Sequence, residues 1–443
     1  MKGNLAMQPE IQLARSDLIT LFKAGVEAAD PKLCVSDYLS TLVTADPSRF
    51  QKTTVISLGK AACSMMSGAL SILPKPNVIN EPLAITNNDN VIDLPGVSVM
   101  AAGHPIPNED GLVATEKVVE AVTNLTADDT LLVLISGGAS AMFTLPAEGI
   151  SLTDKIKTTQ SLLDGGIDIN RMNVVRKQLS AVKGGKLAQI ASPAHVVGLI
   201  LSDVIGDDLS AIASGPTVFC NENKTDAINI LKSTNTWSQL TTPVIQHLQS
   251  LANPAQGLSK EYFEKSVNNH LIGSNHLSLT AVVNAASELD IDIKALEEPI
   301  CGEAKDAAES LAILAGELLG KKSNDAPLLI VGGGETTVTI QGKGKGGRNQ
   351  EFALAFALAC ERNNIPPRWL FLSAGTDGRD GPTDAAGGLV DPDSLARMNE
   401  NGINPNHALL DNDAYHALKA SNDLLITGST GTNVADLQLL MLY

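Results

Sequence analysis

At 443 residues the chain is longer than one hydrophobic core usually serves, so two domains are expected. Its 44% apolar and 18% charged residues suit a globular protein with substantial cores. A formal charge of −17 argues against DNA or RNA as the main partner, and 3% aromatic content offers no stacking platform for single strands.

An amphipathic helix is expected over about residues 9–28. Short aliphatic runs then alternate with helical patterns, the signature of a parallel sheet with crossover helices. Strands are predicted at Thr53–Leu58, Leu83–Thr86, Val97–Ala101, Thr130–Ile135 and Val196–Leu201. Each leads into a turn-rich segment: GKAA, NNDN, GHPIPNEDG, SGGAS and SDVIGDD. Ligands of open α/β sheets gather beyond the carboxyl ends of the strands, so chemistry is sought in these turns. The pattern loosens over about 235–260 and restarts at HLIGSN with a helix near 277–289, which places a domain boundary near residue 240 and gives domains 1–240 and 241–443. Further strands are predicted near Ile291–Ala295, Leu328–Val331, Thr336–Ile340, Trp369–Ser373 and Leu437–Leu442.

Cys34, Cys63, Cys220, Cys301 and Cys360 stand far apart without a C-x-x-C pair, which argues against structural zinc and a disulfide framework. The N-terminus lacks a long apolar stretch and no run of 18 apolar residues occurs. A reducing, cytoplasmic setting is expected.

The most informative stretch is Val331–Glu351, where a strand leads into GKGKGG and then an apolar helix. Backbone amides of such a turn (Gly342, Gly344, Gly346, Gly347) can approach an anion, and the helix N-terminus adds partial positive charge. Arg348, at the helix start, is suited to brace a phosphate; the alternative is a mobile hairpin tip. Gly342, Gly344 and Gly347 also satisfy G-x-G-x-x-G, a weak dinucleotide signal that lacks the ribose-binding acid after the next strand. Leu372–Asp391 crowds Asp377, Asp380 and Asp384 after a strand, where Mg²⁺ on nucleotide phosphates is a fitting neutraliser and Asx turns are the alternative.

In the first half, Ser136-Gly137-Gly138-Ala139-Ser140 breaks an apolar strand and offers hydroxyls and amides to a carboxylate or phosphate, or simply caps a helix. Asp203 and Asp207 follow another apolar strand and suit a metal or a substrate hydroxyl, with capping by Asp207 or Asp208 as the competing role. Arg176, Lys177, Lys183 and Lys186 recur along a predicted helix, for which a solvated face is the default. Lys60 opens a helix directly after the first strand, poised to meet an anion, and His104 sits in a stiff G-H-P turn.

Nine ordered motifs carry a resemblance to a known family: SLGKAA, GHPIP, SGGASA, NVVRKQLSAVKGGKLA, LSDVIGDDLSAIASGPT, VGGGETTV, GKGGRNQE, SAGTDGRDGPTDAAGG and TGSTGTNVADL. From about residue 10 to the end, the chain resembles the glycerate 2-kinase family, the two-domain class with a C-terminal MOFRL domain. Cys220 stands where that family often has an acid, and Ser429 where it usually has proline.

The resemblance implies a Rossmann-like N-terminal domain with a largely parallel sheet, a smaller α/β C-terminal domain containing a MOFRL region at about 328–440, and an active site in the cleft between them. It implies Lys60 and Arg348 as principal cations and Asp203, Glu335 and Asp377 as acids, with Asp203 and Asp377 to hold Mg²⁺ or to accept the hydroxyl proton. Ser136, Gly137, Gly138, Ser140, Glu335, Gly344, Gly346, Gly347 and Asn349 are the expected cofactor-binding residues. The implied reaction carries the γ-phosphoryl group of ATP to the 2-hydroxyl of D-glycerate. Rival readings are an NAD(P)H-dependent hydroxypyruvate reductase and a sugar-acid sensor without catalysis. Expected partners are these small molecules, with no nucleic acid and no membrane; a homodimer is allowed.

Overall fold

The computed structural model describes residues 9–250, 260–289, 291–322 and 326–443. Residues 251–259, part of the stretch expected to loosen toward a domain boundary, lie outside the described residues, as do the first eight. The chain divides into two compact units: Pro31–Ile272, and the residues up to Asp30 together with Gly273–Tyr443.

The division falls elsewhere than near residue 240, for two physical reasons. The strand Val267–Gly273 joins the first unit's sheet. The N-terminal helix Pro9–Glu27 buries Leu18, Leu21 and Phe22 in one cluster with Val282, Leu437 and Leu439 of the second unit.

In the first unit, β1 (Thr53–Leu58), β2 (Leu83–Asn87), β3 (Ser98–Ala102), β4 (Thr130–Ile135), β5 (His195–Leu201) and β6 (Val267–Gly273) lie in the order 3-2-1-4-5-6. The pairs from β3 through β5 are parallel, with Ile56 beside Leu83 and Leu58 beside Ile135. Every residue of β1 and β4 is buried, as strands covered on both faces require. The first five strands stand within one residue of their predicted bounds. Strand order reverses between β1 and β4, and the turns after these two strands therefore flank the switch point where such sheets bind ligands.

The second unit holds β7 (Asp292–Ala295), β8 (Ile300–Glu303), β9 (Leu328–Thr337), β10 (Trp369–Gly375), β11 (Gly387–Val390), β12 (Leu424–Leu425) and β13 (Asp436–Leu442). Their order is 12-11-10-13-9-7, with β8 also beside β9. Only β7 and β8 pair in parallel with β9; the pairs from β9 through β12 are antiparallel.

One prediction fails here: two strands were expected on either side of Gly332-Gly333-Gly334, yet β9 runs through them without a break. These glycines serve close packing. A Cβ on Gly334 would lie 2.1 Å from the Ile300 carbonyl oxygen of β8, and one on Gly333 would lie 2.2 Å from Asn275 Oδ1. The helix Arg348–Arg362 then crosses the sheet with every residue from Asn349 to Cys360 buried, Phe356 packing 4.4 Å from the ring of Phe371. No described helix is long and apolar enough to cross a membrane.

Candidate active site

In the first unit, the turns after β1 and β4 are tied together. Lys60 N–H donates to Gly137 O (2.9 Å), Ser136 N–H to Leu58 O (2.9 Å) and Ala61 N–H to Ser136 Oγ (3.1 Å). Gly59, at φ 115°, can have no side chain, because its Cβ would stand 2.4 Å from Ser136 Oγ. The joined turns thus fix where Lys60 leaves the sheet. Asp203, after β5, presses on the same loop: a Cβ on Gly137 would meet its Oδ2 at 2.2 Å. His104 lies on the other side, with Nε2 3.1 Å from the place a Gly138 Cβ would take.

These groups feel one another. Burial pushes the Asp203 carboxyl above the usual carboxylate range, while its own backbone N–H and Lys60 pull it back. Burial and the Lys60 charge lower the His104 imidazole, so it stays neutral near pH 7. An acid, a cation and a neutral imidazole therefore converge on one glycine loop. Asp208 accepts from Ser210 N–H (2.8 Å) in a turn instead of capping a helix, and Asp207 adopts a left-handed φ of 53°.

In the second unit, Arg348 is clamped by acids. Its Nε donates to Asp436 Oδ2 (2.6 Å) and Nη2 to Asp436 Oδ1 (3.0 Å), while Nη1 meets Glu335 Oε1 at 2.8 Å. Burial disfavours the charge, but Asp436, Glu335 and Asp380 together hold the guanidinium firmly protonated. Asp436 was not singled out from the sequence; it begins β13, within an apolar run that reads only as a strand.

The glycine loop 342–347 departs from its expected role. The amides of Gln341 and Gly342 donate to Asn412 Oδ1, Lys343 to Asp411 Oδ1, Gly344 to Asp411 O and Lys345 to Asp413 Oδ1. An amide turned inward cannot cradle a phosphate, so Gly344 serves packing: its Cβ would meet Asp413 Cβ at 2.3 Å. The helix N-terminus is also taken, since Asp380 accepts from Asn349 N–H (3.1 Å) and Gln350 N–H (2.8 Å). Asn349 itself is buried and its Oδ1 accepts from Ser373 Oγ (2.7 Å), which removes it from the ligand-facing set. Gly346 and Gly347 keep their places beside Arg348, and Gly347 must stay small because Asp380 Oδ1 lies 2.4 Å from where its Cβ would be.

The three aspartates of the turn after β10 go to separate partners. Asp377 Oδ1 accepts from Arg379 N–H (2.9 Å), Asp380 caps the helix and Asp384 Oδ1 accepts from Tyr415 OH (2.8 Å). Among the described residues no group of three or more His, Cys, Asp or Glu side chains is arranged to hold a metal. The basic run after residue 173 also differs from expectation. Lys177 and Lys183 are buried, and Arg176 and Lys186 half-buried, where a solvated face was the default.

Comparison with known proteins places these features. Residues 17–249 match the family described as a domain of unknown function, DUF4147, and residues 328–436 match the MOFRL family. A glycerate 2-kinase of Pyrococcus horikoshii is 38% identical over 425 residues, 94% of each chain. A protein of Agrobacterium vitis that carries the provisional name hydroxypyruvate reductase is 36% identical, covering 97% of this chain and 94% of its own. The crystal structure of a glycerate kinase from Thermotoga maritima superposes with a TM-score of 0.88 at 36% identity, covering 98% of this chain and all of that one.

Proposed function

This chain belongs to the glycerate 2-kinase family with a C-terminal MOFRL domain, and on that footing we propose that it transfers the γ-phosphoryl group of ATP to the 2-hydroxyl of D-glycerate, giving 2-phosphoglycerate and ADP. It is a phosphotransferase acting on an alcohol. The observation that carries the reading is the set of Lys60, Asp203 and the Ser136–Ser140 loop at the switch point of the parallel sheet.

Phosphoryl transfer asks a protein mainly for positioning and charge neutralisation. Lys60 offsets charge on the transferring group, and the amides of Gly137 and Gly138 with the Ser140 hydroxyl face anionic oxygens. Arg348 is the second cation, its plane set by Asp436 and Glu335. Asp203, raised by burial, is suited to accept the proton of the attacking hydroxyl. ATP is ordinarily handled with a divalent cation, here Mg²⁺, which supplies further charge neutralisation when bound. Asp203 in the first unit and Asp377 in the second each present a carboxylate that could hold it, hard oxygen donors of the kind Mg²⁺ takes one or two at a time from protein.

The reductase reading rested on G-x-G-x-x-G at 342–347, and that loop spends its amides on the 411–413 turn rather than offering them to a pyrophosphate. The test is product formation with ATP, Mg²⁺ and D-glycerate, followed by phosphorus NMR to separate 2- from 3-phosphoglycerate. NADH oxidation with hydroxypyruvate in the absence of ATP would overturn the proposal. Glycerate binding without ADP release would make the protein a sensor.

A further inference from the structure

Four cations meet inside the first unit without a carboxylate among them. Lys155 and Lys183 are 4% and 0% exposed, and Arg176 and Lys186 are half-buried. Burial, with the charges of Arg176 and Lys186, lowers the Lys155 ammonium to about 7, and burial with Lys155 and Arg176 pushes Lys183 well down. Their partners are neutral. Lys155 Nζ donates to Thr144 Oγ1 (2.7 Å), Lys183 Nζ to Ala213 O (3.2 Å), and Lys186 Nζ to the carbonyls of Lys177 and Ser180. Arg176 Nη1 donates to Asn173 Oδ1 (3.4 Å) and Nη2 to Ser140 Oγ (2.5 Å). Among the described residues no ion pair includes any of the four, whereas neighbouring Lys177 has Glu222 at 3.4 Å.

Burying like charges against neutral acceptors is unfavourable unless something anionic completes the set. The polar edge of the cluster is built to receive it. Ser140 Oγ and Ser214 Oγ stand 2.9 Å apart, and Ser214 Oγ also donates to Asn173 Oδ1 (3.2 Å). Ser140 ends the same loop that packs Gly137 against Asp203 and Gly138 against His104. Ser214 is held in a left-handed run, Ala213 (φ 53°), Ser214 (φ 59°) and Gly215 (φ 59°), pinned by Gly184 N–H on Ser214 O (3.0 Å) and Gly185 N–H on Gly215 O (2.7 Å). Two non-glycine residues in that region are a strained conformation that its surroundings must impose, and such strain gathers at ligand clamps.

We propose that Arg176, Ser140 and Ser214, backed by the amino groups of Lys155 and Lys183, form an oxyanion-recognition subsite that continues the Ser136–Ser140 loop. It takes the carboxylate of the acceptor acid or a phosphate of the donor nucleotide, and rests on the kinase reading given above. A guanidinium has five N–H donors and two are committed here, which leaves a fork for a planar or tetrahedral anion.

The test is Arg176→Met in the full chain, with KM measured separately for D-glycerate and ATP. A rise of about tenfold or more in one KM alone is expected: in that of D-glycerate if the subsite takes the carboxylate, in that of ATP if it takes phosphate. Unchanged KM values for both, whatever happens to kcat, overturn the proposal. Without ligand the variant should melt no lower than wild type, because a like charge has left an unpaired cluster. Should it not fold, Ser214→Ala keeps every charge and is expected to raise the same KM several-fold; wild-type values for both substrates again overturn the subsite. If wild-type protein makes no ADP, the kinase reading fails and thermal shifts decide the subsite. D-glycerate or inorganic phosphate should then raise the melting temperature of wild type more than that of Arg176→Met, and equal shifts reject it.

Discussion

Arg348 grips Asp436 at two points, Nε to Oδ2 at 2.6 Å and Nη2 to Oδ1 at 3.0 Å, and the acid it holds has a fully buried side chain. A two-point grip fixes the guanidinium plane, which a lysine cannot reproduce. Arg348→Lys should therefore lower kcat on the order of 10²-fold. Arg348→Ala should also destabilise, by about 3–5 kcal/mol, because it strands a buried carboxylate. Adding Asp436→Asn should restore part of that stability without restoring activity. Denaturant unfolding of both single variants and the double variant checks this, and losses that simply add would show that the pair is not coupled.

A second arginine ties the N-terminal helix into its unit. Arg15 Nη1 meets Asp391 Oδ2 at 2.5 Å and Nη2 meets Asp423 Oδ1 at 2.9 Å, and Arg397 bridges the same two acids. Both carboxylates are fully buried, so Arg15→Met should cost about 3 kcal/mol or more, far beyond an ordinary surface change. Guanidinium unfolding measures it; a loss below about 0.5 kcal/mol would mean that Arg397 alone satisfies the acids.

The first unit was legible in the sequence because fully buried parallel strands are continuous aliphatic runs, and TTVISL and TLLVLI have no other good reading. The second unit was less so. Gly332-Gly333-Gly334 reads locally as a turn, and pairing with β13 and β8, both distant in sequence, makes it a strand. The site shows the same contrast. Lys60 and Asp203 follow recognisable strands, so their positions could be placed. Asp436, buried Lys183 and the inward amides of 341–345 depend on partners tens of residues away, which no local pattern reports.

Asp380 makes a pH dependence. Burial raises its carboxyl to about 7, against the pull of the Gln350 and Asn349 amides and of Arg348, with the Asp436 charge adding to the rise. The unfolded chain has an ordinary value of 3.8, so the fold binds this proton more tightly than the coil does. The group's stabilisation is full below about pH 4 and is lost as pH rises through about 7. Asp380→Asn should flatten that part of the stability profile. Unfolding free energies from pH 5 to 8 test it, and an unchanged slope in the variant would assign the dependence to another group.

Gly137 separates site geometry from fold stability. Its Cβ would stand 2.2 Å from Asp203 Oδ2 and 2.7 Å from Cγ, so Gly137→Ala must displace that carboxylate from the loop. Lys60 is tied to the same residue through the Gly137 carbonyl, and both proposed reacting-group contacts should shift together. The expected result is a fall in kcat/KM on the order of 10²-fold, since small misplacements at a transferring group are expensive. Stability should fall little, because the clash is with a movable side chain. Gly320→Ala is the control: nothing lies within 4 Å of that Cβ, the position is helical, and the change should stabilise by up to about 1 kcal/mol with activity intact. Paired steady-state kinetics and thermal melts decide the matter. A Gly137→Ala enzyme with wild-type kcat/KM would remove Asp203 from the reaction.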